Sequence, residues 1–400
     1  MTSPAAPRYN YAARARHFVS SPVRGIFDIS MRPGMITLAG GNPDLTVLPL
    51  DHLSAVSSKL ITERGTEVLQ YGHGAGVEEL REAVCELMAL TGIQATYEDV
   101  QITSGSQMGI ELITTMLCDP GDVILAESPT YVGALGTFEG LEADVRHVPC
   151  DTEGLEPESL RASIHAVRAE GKRIAFLYTI PTFSNPTGIR LSVERRQQIV
   201  DVCREEHVQI VEDDPYSLLS FDGVLLPALR SLDDTVVYLG SLSKICSPGI
   251  RVGWMLAPAE LRERLQLASE ATTICASVLS QYLALEYLTK IDWRAVVSGA
   301  TDRYRSRAEA VVAGLEKHMP ADVSWTTPTG GFFTWLTIDR DIDTEARMQA
   351  SIDAGLVYIP GSAFFAAGQG ASNTLRLSYS LAQEATADEA MRRLAQVINA

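Results

Sequence analysis

From Asp99 onward, short β-branched or apolar runs alternate with stretches long enough to be helices. VQIT (100–103) precedes an apolar stretch from Ser106 to Cys118, VILAES (123–128) precedes Tyr131 to Glu139, and VRHVP (145–149) precedes Pro157 to Glu170. RIAFLYTIP (173–181) leads to a helix from Val193 to His207, followed by QIVEDD (209–214), TVVYLGS (235–241) and RVGWML (251–256). Strands separated by helices are joined by crossovers, which predicts a large α/β domain with a mostly parallel sheet covered on both faces.

The pattern then changes. A long helical stretch from Leu261 to Lys317, interrupted near Lys290 to Asp292, gives way to VSWTT (323–327), a Pro328/Gly330/Gly331 turn and FFTWLTI (332–338). A helix after Asp343, VYIPG (357–361), LRLSYS (375–380) and a last helix from Ala387 complete the sequence. This mixture predicts a smaller α+β domain. The expected division is an arm over 1–45 that packs with the small domain and has a short helix near Tyr11 to Val19, a large domain over 46–290, and a small domain over 291–400.

Composition narrows the partners. At 400 residues and 46% hydrophobic, the protein can bury a large core and a satellite. A formal net charge of −17 opposes binding to a polyanionic backbone, so nucleic acid is excluded as a partner. Cys85, Cys118, Cys150, Cys203, Cys246 and Cys275 show no CxxC pairing and no partnered His spacing. They read as small buried residues of a reducing compartment, with no metal site. No uncharged run approaches the ~20 residues a membrane span needs, and residues 1–35 have arginines but no apolar leader core, so the expected location is the cytoplasm.

Only five lysines occur, and four of them stand among polar neighbours typical of solvated faces. Lys244 differs: it follows a strand in Gly240-Ser241-Leu242-Ser243-Lys244 and precedes Pro248-Gly249-Ile250-Arg251. That places it past the carboxyl end of a strand, where open α/β sheets bind ligands. Desolvation and a nearby cation would lower its pKa and let it attack a carbonyl. Ser241, Ser243 and Arg251 around it suit a phosphate dianion. A second phosphate element is Thr103-Ser104-Gly105-Ser106-Gln107, a glycine turn that opens a helix.

Val211-Glu212-Asp213-Asp214-Pro215-Tyr216 runs a strand into carboxylates. A carboxylate against a pyridine nitrogen keeps it protonated and makes the ring an electron sink; Asp213 is the choice, with Asp214 equally suited to a turn. Asn185, in Ser184-Asn185-Pro186-Thr187-Gly188, and Tyr216 can donate to a phenolate oxygen, and Tyr131 offers a face for ring stacking.

Together SLSK with PGIRVGW, the SNPTG turn and EDDPY, in this order and spacing, resemble the fold-type I pyridoxal 5′-phosphate (PLP) aminotransferases, class I/II, of the aminoadipate and kynurenine branch. The resemblance implies a large domain with a mostly parallel sheet of seven-stranded type flanked by helices, a smaller α+β C-terminal domain and an N-terminal arm. It implies Lys244 as the Schiff-base lysine and proton shuttle, Asp213 as the partner of the pyridine nitrogen, and Asn185 and Tyr216 as donors to the ring oxygen. Gly105, Ser106, Gln107, Ser241, Ser243 and Arg251 fall on the phosphate cup, and Tyr131 on the stacking position. Arg376, in Thr374-Leu375-Arg376-Leu377-Ser378, matches the arginine that grips the α-carboxylate, a bidentate task. Gly40, Gly41 and Arg24 fall in the substrate-binding region with Asn185.

Tyr71 resembles the tyrosine that reaches the phosphate of the neighbouring subunit, which implies a homodimer with shared active sites. Ser184, Leu48 and His73 depart from the branch, at positions where such enzymes choose substrates; His73 reads as a turn cap or as a substrate contact. The implied reaction is ping-pong transfer of an amino group between an L-amino acid and a 2-oxo acid through pyridoxamine phosphate. The same carbanion would also serve elimination, decarboxylation or oxidative deamination. A non-catalytic PLP-binding sensor is opposed by the absence of a basic DNA-binding module.

Overall fold

The computed structural model describes residues 10–18, 25, 26, 29, 30 and 32–399. Seven strands form the main sheet: β1 (Val100–Thr103), β2 (Val123–Glu127), β3 (Asp144–Val148), β4 (Ile174–Thr179), β5 (Ile210–Asp214), β6 (Val237–Ser241) and β7 (Gly253–Leu256). Their order is β1-β7-β6-β5-β4-β2-β3. Only β7 is antiparallel to its neighbours. It follows β6 through a short loop with no crossover helix, and without that helix the polypeptide returns antiparallel. Every residue of β2, β5 and β6 is buried, as expected of strands covered on both faces.

The covering helices are α1 (Leu50–Val68), α2 (Glu78–Met88), α3 (Ser106–Leu117), α4 (Val132–Gly140), α5 (Pro157–Ala169) and α6 (Val193–Glu205). The predicted helical stretch after Leu261 is three helices: α7 (Ala259–Thr273), α8 (Val278–Lys290) and α9 (Trp293–His318). The break near Lys290 to Asp292 is present. A second break follows Thr273, where Ile274 adopts φ +64°, a conformation that a β-branched residue rarely takes. No glycine or proline announces it in the sequence.

The second sheet has four strands, β8 (Val323–Trp325), β9 (Phe333–Ile338), β10 (Ile359–Pro360) and β11 (Thr374–Ser378), in the antiparallel order β8-β9-β11-β10. The final helix α10 (Glu384–Asn399) buries Ala387, Ala390, Met391, Leu394 and Ile398, a stripe at helical spacing, against α9. Gly314 of α9 admits Met391; a Cβ there would stand 2.7 Å from Met391 Cγ.

The N-terminal region is stitched into both sheets' surroundings. Ala13–His17 forms one 3-10 turn within the predicted arm helix, whose end at Val19 lies outside the described residues. Phe18 packs over Gly140 of α4, so this part of the arm lies on the large sheet's side. Further on, Ile36–Thr37 pairs in parallel with Leu356–Val357, and Ser378 N–H donates to Leu38 C=O at 2.7 Å. No helix among the described residues is long and apolar enough to cross a membrane.

Candidate active site

Six strands of the main sheet point the same way, and the carboxyl ends of five of them, β1, β2, β4, β5 and β6, open into one cavity of about 730 Å³. It is lined by Gly41, Ser106, Gln107, Tyr131, Asn185, Asp213, Tyr216, Ser241, Ser243, Lys244, Arg251 and Arg376, residues drawn from positions more than three hundred apart. Phe333, Asn42 and Ile180 line it as well.

Lys244 Nζ donates to Gly41 C=O at 2.9 Å. Burial first, and then the Arg376 guanidinium, bring its ammonium pKa down to about 8, against the opposing pull of Asp213. Asp213 is 3% exposed, and burial raises its carboxyl to about 7. Tyr178 Oη donates to its Oδ2 at 2.7 Å, while its Oδ1 is buried without a partner. An orphaned carboxylate oxygen inside a ligand cavity is the acceptor that a ring N–H would satisfy.

At the other end of the cavity, Ser241 Oγ donates to Ser243 Oγ at 2.9 Å and accepts from Ser243 N–H at 3.1 Å. Helix α3 starts beside them, its N-terminus uncapped by any side chain. Arg251 reaches across to Ser104 C=O at 2.9 Å. The approach is close enough to require glycine: at Gly105, φ +81°, a Cβ would collide with the Arg251 guanidinium, and at Gly253 it would stand 2.6 Å from Ser106 N. Hydroxyls, helix N–H groups and a guanidinium thus converge as a dianion requires. Gln107 follows Ser106 in the first turn of α3. Its side-chain amide is committed to Gly133 C=O at 3.0 Å and Thr137 Oγ1 at 2.7 Å, which leaves its backbone N–H for an anion.

Arg376, on β11, is buried and stacked 4.3 Å from the Phe333 ring and 4.9 Å from Phe364. It donates to Asn185 Oδ1 at 2.7 Å and to Ala39 C=O, and its Nε has no partner. Burial lowers its pKa to about 10. The Asn185 amide also bonds the Tyr216 hydroxyl, whose own titration burial pushes upward. These residues fit PLP: free hydrogen-bonding capacity at the Asp213 carboxylate and the Arg376 guanidinium, and a cradle for a phosphate formed by Ser106, Ser241, Ser243 and Arg251.

Some sequence expectations fall elsewhere. Gly40 does not line the cavity, and a Cβ there would meet only Asn42, at an ordinary 3.6 Å. Gly41 lines it, and a Cβ there would stand 2.7 Å from the Phe333 ring. Tyr71 is 73% exposed and outside the cavity. His73 Nδ1 accepts from Ala75 N–H at 3.1 Å, the turn-capping arrangement. Leu48 is buried in the core, and Arg24 lies outside the described residues. Tyr178 and Phe333 were not singled out from the sequence; strand alternation from the already chosen Asp213 gives no hint of a partner one strand away.

The family model for aminotransferases of class I and II matches residues 33–394. The chain is 32% identical over 399 residues to the aromatic-amino-acid aminotransferase 1 of Thermococcus litoralis, covering 97% of this chain and 94% of that one. It is 32% identical to the 2-aminoadipate transaminase of Thermus thermophilus, over 95% of this chain and 94% of its relative. The crystal structure of the Pyrococcus horikoshii kynurenine aminotransferase in complex with PMP superimposes with a TM-score of 0.92 at 32% identity, covering 97% and 96% of the two chains.

This chain therefore belongs to the class I and II aminotransferases of fold type I. It is a PLP-dependent enzyme that moves an amino group between an amino acid and a 2-oxo acid.

Proposed function

We propose that Lys244 carries the coenzyme and moves the proton, that Asp213 faces the coenzyme's ring nitrogen, and that Arg376 grips the α-carboxylate of amino acid and 2-oxo acid alike. The observation that carries this reading is the convergence of a readily deprotonated amine, an orphaned carboxylate oxygen and a buried guanidinium on one cavity. When bound, the coenzyme supplies an aldehyde carbon for the amino group and a cationic ring that withdraws electrons from the substrate's α-carbon.

The protein's own residues do the rest. With its pKa lowered to about 8, Lys244 Nζ gives up its proton more readily than an exposed lysine, accepts one from the α-carbon and would return it two bonds away, at the coenzyme's aldehyde carbon. Tyr178 fixes one oxygen of Asp213 and leaves the other to hold a ring N–H; that cationic neighbour favours the ionised carboxylate. Ser106, Ser241, Ser243, Arg251 and the backbone at Gly105 and Gln107 hold the phosphate, and Tyr131 covers a ring face. Asn185 and Tyr216 donate to the ring oxygen. The planar fork of Arg376, kept flat by Phe333, orients the carboxylate so that the α-proton faces Lys244.

Exposed Tyr71 and its exposed neighbour Leu69 support a homodimer in which Tyr71 reaches the partner's phosphate. The six unpaired cysteines support a cytoplasmic location. The relatives' names support a search for the donor among aromatic amino acids, 2-aminoadipate and kynurenine.

Replacing Lys244 tests the reading. Lys244→Ala is expected to fold and to release 2-oxo acid from an L-amino acid about 10²–10⁴-fold more slowly. Release at the wild-type rate would end the assignment.

A further inference from the structure

Glu127 is a buried carboxyl to which the chemistry above gives no task. It ends β2 at the carboxyl edge of the sheet and is 5% exposed. Thr179 Oγ1, at the end of β4, donates to its Oε1. Ser184 Oγ donates to its Oε2 at 3.1 Å, and the Ile180 N–H bonds it too. No cation is among the groups that shift it. The ionisable groups around it are Tyr178 on β4, Cys150 after β3, and His147 on β3. His147 Nδ1 lies 2.7 Å from the backbone carbonyl oxygen of Glu127, and its Nε2 accepts Ala366 N–H at 2.9 Å. Both of its partners are backbone groups of fixed polarity, so the ring is the neutral Nδ1–H tautomer. Cys150 and Tyr178 are held neutral by burial.

A carboxyl without a counter-ion is an expensive way to hold two hydroxyls, since burial penalises its charge. Its partners explain its place. Ser184 is the residue before Asn185, in a turn closed by Ser184 N–H to Ile189 C=O at 3.0 Å and Gly188 N–H to Ser184 C=O at 2.7 Å. Asn185 in turn holds Arg376 Nη1 at 2.7 Å and the Tyr216 hydroxyl. Glu127 therefore holds the turn at Ser184, and the next residue along the backbone, Asn185, makes the contacts in the cavity.

We propose that Glu127 is a positioning residue that, through Ser184, fixes where Asn185 stands against Arg376 and the coenzyme's ring oxygen. The inference rests on the reading of Asn185 given above. As a carboxylate, Glu127 accepts both hydroxyls; as an acid it must turn its own O–H toward one of them, and its hold on Ser184 loosens. Burial places that change at about pH 7, with the acid form below it. The grip on the substrate carboxylate should therefore weaken as pH falls through 7.

The test measures kcat, KM and the pH titration of the bound coenzyme's absorbance in the holoenzyme and in Glu127→Gln, Ser184→Ala and Asn185→Ala. Glu127→Gln and Ser184→Ala are expected to raise KM for an amino donor roughly tenfold, the worth of one hydrogen bond to a charged group, with a smaller change in kcat. Both should move the absorbance titration in the direction in which Asn185→Ala moves it, and Glu127→Gln should abolish the rise of KM below pH 7. A purely structural role would lower the thermal midpoint and leave that titration in place. Ser184→Ala keeps the carboxyl and removes one hydroxyl, so it decides the matter if Glu127→Gln does not fold. Wild-type KM and titration in these two variants, with both altered in Asn185→Ala, would overturn the inference. No effect in Asn185→Ala would overturn the reading of Asn185 and the inference with it.

Discussion

Asp213 and Asp214 are adjacent and carry the same functional group, yet β5 turns them to opposite faces of the sheet. Asp213 faces the cavity with one oxygen unpartnered. Asp214 accepts from Ser217 N–H at 3.2 Å and Tyr238 Oη at 3.1 Å, and so holds the turn that carries Tyr216. Asp213→Asn keeps the side chain's size and loses the charge that a ring cation needs. Its turnover is expected to fall by about 10²-fold or more, the scale of removing one aimed charge from a site. Asp214→Asn is expected to cost stability, read as a lower thermal midpoint, with turnover changed far less. The sequence alone pointed to Asp213 because the EDDPY motif resembles a family pattern. It did not point to Tyr178 or to Glu127, because their partners lie on neighbouring strands, and sheet order is not written in any local run of residues.

Phe183 adopts φ +53°, which for a bulky side chain is a strained conformation that surrounding contacts must impose. Its fully buried ring occupies the space above Gly330 and Gly331, the turn before β9, and Arg190 stacks 5.4 Å from it on the other side. The loop carrying Asn185 is thereby fitted to the strand carrying Phe333. A Cβ at Gly331, itself at φ +69°, would stand 2.6 Å from Phe183 Cβ. Gly331→Ala is expected to destabilise the protein by about 1–3 kcal/mol, the cost of overpacking a filled site, measured by denaturant unfolding. The Pro328/Gly330/Gly331 turn was legible in the sequence as a turn. That its glycines also make room for an aromatic ring 147 residues earlier was not, because the need arises from packing between the two sheets.

Across the whole molecule, three buried carboxyls, Glu127, Glu212 and Asp213, are each raised to about 7 by burial. A carboxyl that binds its proton more tightly in the folded protein than in the unfolded one contributes stability at low pH and loses it as pH rises through the folded value. The coenzyme-free protein is therefore expected to lose thermal stability between about pH 5 and about pH 7, as followed by its unfolding midpoint. The alternation of strands and helices was enough to read the sheet as mostly parallel, and β7, the member reached without a crossover, is the exception. The order of the strands and the meeting of the two sheets depend on contacts between distant parts of the polypeptide.

Those distant contacts include the donation of Arg376 to the carbonyl of Ala39, 337 residues away, and of Lys244 to that of Gly41. The segment that carries Ala39 and Gly41 must be joined by partners some two and three hundred residues further on before either side chain takes up its position. During synthesis the first forty residues emerge from the ribosome long before their partners do. Ala39 has to wait until Arg376 has been made, so catalytic competence arrives well after the last strand of the main sheet, and a nascent polypeptide can hold a finished sheet while it is still unable to turn over substrate.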